Sequence, residues 1–249
     1  MKNLKFTIAY NGTAYNGYQS QPGGNTVQDN VEKVLSRLLN QDVTINGCSR
    51  TDAGVHAREF VFNVKYDEAL SGIDEKGLTT AMNGLLPRDI AVLFCEAVHE
   101  GFHARFDAKG KEYLYIIYTS PVRNVFSEGL ALHYPYEIDT DKMLSAAKEI
   151  TGTHDFAAFC KAEAKEHLKT TVRTVSDIKI IRNNNFVEFY VSGEGFLHNM
   201  VRIIVGTLIY VNEGKRSVED VKAAVESGER EKAGKTLPPC GLYLNKVFY

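Results

Sequence analysis

Along the first ten residues apolar side chains fall on every second position. Leu4, Phe6, Ile8 and Tyr10 alternate with polar or small neighbours, the period of a strand with one buried face. Gly12, Gly17, Pro22 and the pair Gly23-Gly24 then mark a long loop. From about Thr26 the period changes. Val27, Val31, Val34, Leu35, Leu38 and Leu39 repeat at i, i+4, i+7, i+8, i+11 and i+12, one apolar face of a helix. Val43 and Ile45 predict a strand entering a tight polar turn, and Phe60, Phe62 and Val64 predict one leaving it. A helix around Gly77–Leu86 stops at Pro87, and "DIAVLFCEAV" closes this stretch as a strand. The order is β-α-β-β-α-β.

The same order returns further along. "KEYLYIIYTS" reads as a strand and Asp141–Ile150 as a helix. "TVSDIKIIR" and "FVEFYVSG" read as an antiparallel pair turning at "NNN". Phe196–Val211 is a long apolar helix, Val218–Glu226 a short one, and "GLYLNKVFY" the last strand. The fold class expected is α+β: two ferredoxin-like β-α-β-β-α-β halves with antiparallel sheets flanked by helices. The division falls near "HARFDAKG", giving domains 1–106 and 107–249.

Composition narrows this picture only a little. The chain has 249 residues, 44% hydrophobic and 24% charged, enough apolar mass for sizeable cores. Its formal net charge is −2, so any nucleic-acid site must gather its positive charge locally. No stretch reaches transmembrane length and the N-terminus has no apolar signal core. Cysteines at 48, 95, 160 and 240 form no close pair, which excludes the usual zinc clusters and any disulfide framework. His56, His103, His154 and His198 show no paired metal spacing either. No metal site is expected, and a reduced cytoplasm is the natural compartment.

The chemistry concentrates in "GCSRTDAGVHAREF", residues 47–60, between two apolar strands. An Asp two residues before a Gly is ordinarily a turn former. Here Arg50 and Arg58 flank Asp52 and His56 follows closely. Neighbouring guanidinium groups favour an ionised carboxylate, and such a group is a nucleophile or an ion-pair partner. The residues alone leave those two readings open. Cys48 is close by, but a lone free Cys is more often a small buried residue. Gly12, Gly17, Gly23 and Gly24 lack the following Gly-Lys-Ser/Thr of a phosphate loop. Tyr113, on its own, reads as an ordinary strand residue.

"GCSRTDAGVHA" closely resembles the signature of the tRNA pseudouridine synthase A (TruA) family, G-x-x-R-T-D-A-G-V-H-A. Further blocks resemble the family in order: "YNGTAYNGYQSQPGGNTVQDNVEKVL", "LPRDIAV", "FHARFDAKGKEYLYIIY", "TGTHDFAAFC", "GEGFLHNMVRIIVGTL" and "LPPCGLYLNKVFY". The resemblance implies an isomerase converting uridine to pseudouridine at positions 38, 39 and 40 of the tRNA anticodon stem-loop. It implies the pseudouridine synthase fold, with the active-site cleft between the two halves, and a cytoplasmic homodimer using no cofactor and no metal. It makes Asp52 the catalytic aspartate, Arg50 the arginine beside it, and Arg202 an arginine that pairs with it. Tyr113 becomes the tyrosine that stacks on the uracil. Arg58 and His56, in the same motif as Asp52, complete the expected substrate-binding set.

Three positions depart from the family pattern: Cys48-Ser49 for Ala-Gly, Tyr18 for a Trp, and Glu112 for a basic residue. The first two touch packing and the expected RNA-facing loop. Two other functions fit parts of the pattern. A non-catalytic RNA-binding module would use a ferredoxin-like sheet with aromatics, but has little reason to keep Asp52, Tyr113 and Arg202. A glycosidase pairing Asp52 with Glu59 needs carboxyls roughly 5–5.5 Å apart in the retaining case, which their spacing does not assure.

Overall fold

The structure is a computed structural model that describes residues 1–161 and 168–249. The chain forms two compact units, Met1–Lys109 with Tyr243–Tyr249, and Gly110–Leu242. The sequence division at 106/107 assigned the whole C-terminus to the second half. Instead the last seven residues pack in the first unit.

In the first unit β1 (Lys2–Tyr10), α1 (Val27–Leu39), β2 (Ile45–Gly47), β3 (His56–Tyr66), α2 (Glu75–Leu85) and β4 (Ile90–Val98) follow one another as expected. β1 lies between β4 and β3, antiparallel to both, and β2 pairs with the end of β3 from Phe62 to Val64. Phe6 and Phe62 face each other across β1 and β3 with rings stacked at 4.9 Å, the cross-strand contact that fixes register. Val27, Val31, Leu35 and Leu39 are buried along α1. The α1 helix starts where the Thr26 side chain accepts the Asp29 N–H. The α2 helix stops one residue before the sequence expectation because Leu86 is extended, the conformation that a following Pro87 imposes.

"GLYLNKVFY" forms β10 (Leu242–Phe248), which runs parallel to β3 with Tyr243 opposite His56 and Leu244 opposite Ala57. The long strand β3 therefore has two partners on one edge, β2 toward its C-terminal end and β10 at its start.

In the second unit β5 (Gly110–Tyr118) pairs antiparallel with β9 (Phe186–Gly193) from Lys111 to Tyr118. β9 in turn pairs with β8 (Val172–Asn183), and β8 with β7 (Gly152–Asp155). The β8–β9 hairpin turns at "NNN" with Asn184 at φ 53, a conformation Asn tolerates better than most residues. The helices are α3 (Thr140–Ile150), α4 (Met200–Asn212) and α5 (Val218–Ser227). α5 opens with a capping box between Ser217 and Asp220. Two short strands escaped the sequence reading: β6 (Leu132–His133), parallel to β5, and β7. Neither is long enough to show an alternating pattern. The apolar helix expected from Phe196 begins at Met200, because Asn199 is left-handed at φ 64.

A buried polar network closes the first unit at the far end of β3. Asn63 donates to Asn3 Oδ1 at 3.0 Å and accepts the Ala104 N–H at 2.9 Å. Asn3 donates to the Phe102 carbonyl at 2.9 Å, and Tyr249 donates to the Ala104 carbonyl at 2.7 Å. Each orphaned buried group costs about 1–3 kcal/mol. Asn63→Ala orphans both the Ala104 N–H and Asn3 Oδ1. It should lower the unfolding free energy by at least about 2 kcal/mol, measured as a shift of the urea midpoint at unchanged slope.

Candidate functional site

In the first unit the site is the turn between β2 and β3. Asp52 is half-buried, Thr51 beneath it is buried, and Arg50 is exposed. The Val55 N–H donates to the Asp52 carbonyl at 3.1 Å, closing the turn over Ala53 and Gly54. The loop after β1 holds this turn from the side. Tyr18 N–H donates to the Thr51 carbonyl at 3.1 Å, and the hydroxyls of Tyr10 and Thr51 share a hydrogen bond of 2.8 Å.

Gly17 sits against the turn at φ 92, and a β-carbon there would lie 2.7 Å from the Thr51 carbonyl oxygen. No other residue fits both that backbone region and that gap. The loop is itself fixed to α1, whose Val27 and Gln28 N–H groups donate to the Gly17 and Tyr18 carbonyls. At its other end the loop is tied to Asp89, whose carboxylate accepts from the Tyr15 hydroxyl.

His56 was expected at the substrate. It is only 1% exposed, and its Nδ1 accepts the Gly12 N–H at 3.0 Å. Its ring stacks on Tyr243 at 4.6 Å. An accepting Nδ1 requires the neutral ring protonated on Nε2, so His56 ties the loop to β3. Arg58 is exposed and turned toward β10, with its guanidinium 5.4 Å from the Tyr243 ring and 3.4 Å from Asn245 Oδ1.

The orientation of Arg58 has a local cause. Ile8 pairs with Phe60 and Tyr10 with Ala57, so Arg58 and Glu59 stand opposite the single residue Ala9. This β-bulge breaks the alternation. His56 and Ala57 are both buried, and Arg58 and Glu59 both exposed.

Two departures from the family pattern are packing residues here. Cys48 is buried, its N–H donating to the Val61 carbonyl and its Sγ accepting the Val61 N–H at 3.4 Å. The Tyr18 ring is buried between Phe60, stacked at 4.1 Å, and Gly47. Burial holds its phenol far above the ordinary tyrosine pKa. All four cysteines are free. Among the described residues no three His, Cys, Asp or Glu side chains are grouped to hold a metal ion.

In the second unit Tyr113 lies on β5 opposite Val191, 7% exposed, and meets Phe196 edge-to-face at 5.0 Å. Phe196 stands just before α4, where the helix was expected to begin. Arg202 emerges from the first turn of α4, a helix buried almost all round. Its Nε donates to the Leu237 carbonyl at 2.7 Å and its Nη1 to Asn199 Oδ1 at 2.6 Å. Gly206 lies about one turn beyond Arg202 on α4. Gly206 is required there, since a β-carbon would lie 1.9 Å from the Lys235 carbonyl oxygen. The 234–237 segment thereby lies directly on α4 and delivers the carbonyl that orients Arg202.

A family profile described as "tRNA pseudouridine synthase" matches residues 146–249. The similarity to individual proteins runs the whole length. The "tRNA pseudouridine synthase A 2" of Clostridium perfringens is 43% identical over 249 residues, covering all of both chains. The "tRNA pseudouridine synthase A" of Bacillus pumilus is 45% identical over 248 residues, 99% of this chain and 98% of its own. That of Bacillus subtilis is 44% identical over the same share of each chain.

The chain belongs to the tRNA pseudouridine synthase A family. The family is one of isomerases acting on tRNA uridines, and the mixed α+β architecture is that of the pseudouridine synthase fold. The residues that sequence reasoning missed are those that hold the family motif rather than those inside it: Tyr10, Gly12, Gly17 and Tyr243. For the two glycines the signal was their spacing after β1, which marks a loop without saying what the loop grips; Tyr10 and Tyr243 read only as strand residues.

Gly17→Ala should displace the Asp52 turn. The added methyl meets a backbone carbonyl and the φ is unfavourable, a cost of about 1–3 kcal/mol. A fall in kcat larger than any change in tRNA affinity is expected, read from single-turnover kinetics beside equilibrium binding.

Proposed function

We propose that this protein isomerises uridine to pseudouridine at positions 38, 39 and 40 of the tRNA anticodon stem-loop, acting as a cytoplasmic homodimer with no cofactor and no catalytic metal. The observation that carries this reading is the half-buried Asp52 on a turn pinned by Tyr18, Thr51 and Gly17. It occurs in a chain more than 40% identical end to end to proteins named tRNA pseudouridine synthase A. Among the described residues no helix is long and apolar enough to cross a membrane.

The reaction breaks the N-glycosidic bond, turns the uracil, and joins its C5 to C1′. The proton lost from C5 is matched by one gained at N1, so the product is an isomer. A carboxylate serves this by adding to the nucleoside or by stabilising positive charge at C1′. Asp52 is proposed for that role, and Arg50 beside it for displacing the base. Extruding a stacked nucleotide costs roughly a few kcal/mol. Tyr113 offers an aromatic surface to the extruded base, and Arg58 contacts the RNA. His56 acts on the substrate through the loop it holds. Arg202 is the catalytic arginine of the second unit, its guanidinium plane held at two corners by Leu237 and Asn199.

Asp52→Asn removes the carboxylate with little change of volume. It should keep the fold and tRNA affinity while lowering pseudouridine formation by at least about 10⁴-fold. Mapping of pseudouridine in reacted tRNA reads this out. Turnover persisting in the purified variant would contradict the assignment. Arg202→Lys keeps the charge but loses the planar fork. Turnover should fall about 10- to 100-fold, the scale of a charge-assisted hydrogen bond, with tRNA affinity nearly unchanged. Equal losses in kcat and in affinity would place Arg202 in general RNA binding instead.

A further inference from the structure

Arg58 stands in the bulge of β3, exposed, six residues beyond Asp52. An exposed arginine on an open strand would ordinarily sample many rotamers. This one is engaged from the neighbouring strand. Its guanidinium lies over the Tyr243 ring at 5.4 Å and its Nη1 reaches Asn245 Oδ1 at 3.4 Å. The two β10 residues are spaced by two, so both present their side chains on the same face of that strand. The Tyr243 ring also stacks on buried His56 at 4.6 Å with an interplanar angle of 28°. His56 in turn holds the Gly12 N–H of the loop that grips the Asp52 turn. One tyrosine thus touches both an exposed cation and the anchor of the catalytic loop.

We infer that Tyr243, with Asn245, is a positioning residue that holds Arg58 ready for a phosphate of the RNA and links that contact to the Asp52 turn through His56. The inference rests on the reading of Arg58 as an RNA contact. A guanidinium held over an aromatic ring can still offer N–H donors to the oxygens of a phosphate. Because it is already held, it loses less freedom on binding than a mobile side chain would. The bulge supplies the geometry, since in an unbroken ladder Arg58 and Glu59 would point to opposite faces of β3.

The test is equilibrium binding of unmodified tRNA across a range of salt, together with steady-state kinetics. Each lost phosphate contact should flatten the slope of log K against log salt by about 0.7–0.9. Arg58→Ala and Tyr243→Leu should each show that loss, and the double variant no more than either alone. Tyr243→Phe, which keeps the stack, should retain the wild-type slope. Tyr243→Leu should also lower kcat more than Arg58→Ala does, because it alone disturbs His56.

If Tyr243→Leu does not fold, Asn245→Ala carries the test, with a smaller flattening expected. A flattened slope in Arg58→Ala with an unchanged slope in Tyr243→Leu, or in Asn245→Ala where that is the variant used, would overturn the inference. An unchanged slope in Arg58→Ala would remove its premise. Failure of the wild-type protein to form pseudouridine would instead refute the proposed function, and the binding slopes would still be readable.

Discussion

The hydrogen bond from the Tyr18 N–H to the Thr51 carbonyl is the contact on which the first unit's site depends. It ties the backbone one residue before the carboxylate to a loop that is itself fixed to α1 and Asp89. A turn between strands is a poor platform for a reacting group, because surface loops are the mobile part of most folds. Here the chain solves this with backbone rather than with side chains. Gly17 lets two main chains meet at a distance no β-carbon allows, and Gly12 does the same at Val55. Both glycines and the Asp52 turn then move as one body or not at all.

The arginine of the second unit is held by the same kind of device. Arg202 leaves a helix with little exposed surface, and its Nε is fixed by a main-chain carbonyl from the 234–237 segment. That segment reaches α4 because Gly206 and Gly234 leave room for it. Gly234 N–H donates to Thr207 Oγ1 at 2.7 Å, and that hydroxyl donates to the Ile203 carbonyl. In both units the residue that carries charge is set by glycine-permitted backbone contact, which substitution can disturb without touching the charged group.

Much of this was legible in the sequence, and the reasons for the exceptions are physical. β1, α1, β9 and α5 fell where the pattern put them. The start of α4 did not, because apolar residues continue through Phe196 and Leu197 while Asn199 turns left-handed. Hydrophobicity cannot report that. β6 and β7 were invisible at two and four residues. The placement of β10 was missed because a strand's apolar face does not say which sheet it joins. Asp52 was visible as a carboxylate on a polar turn, but the residues alone left its role open, and the role proposed for it comes from the family resemblance. His56 was expected at the substrate, and its burial against Gly12 and Tyr243 is a tertiary feature that no local pattern reports. The outward turn of both Arg58 and Glu59 follows from the β3 bulge, which no local pattern announces.

The central claim is that loop and turn form one unit around Asp52. Native-state hydrogen exchange tests it most directly, at the Tyr18 amide that donates to Thr51 and the Val55 amide that donates to Asp52. Amides in one cooperative unit share an opening free energy. The account predicts matching protection at the two amides in the wild-type protein, and a joint loss in Tyr10→Phe, which removes the bond to Thr51. A Val55 amide that stays protected while the Tyr18 amide exchanges freely would contradict it, and would mean the turn holds its shape without the loop.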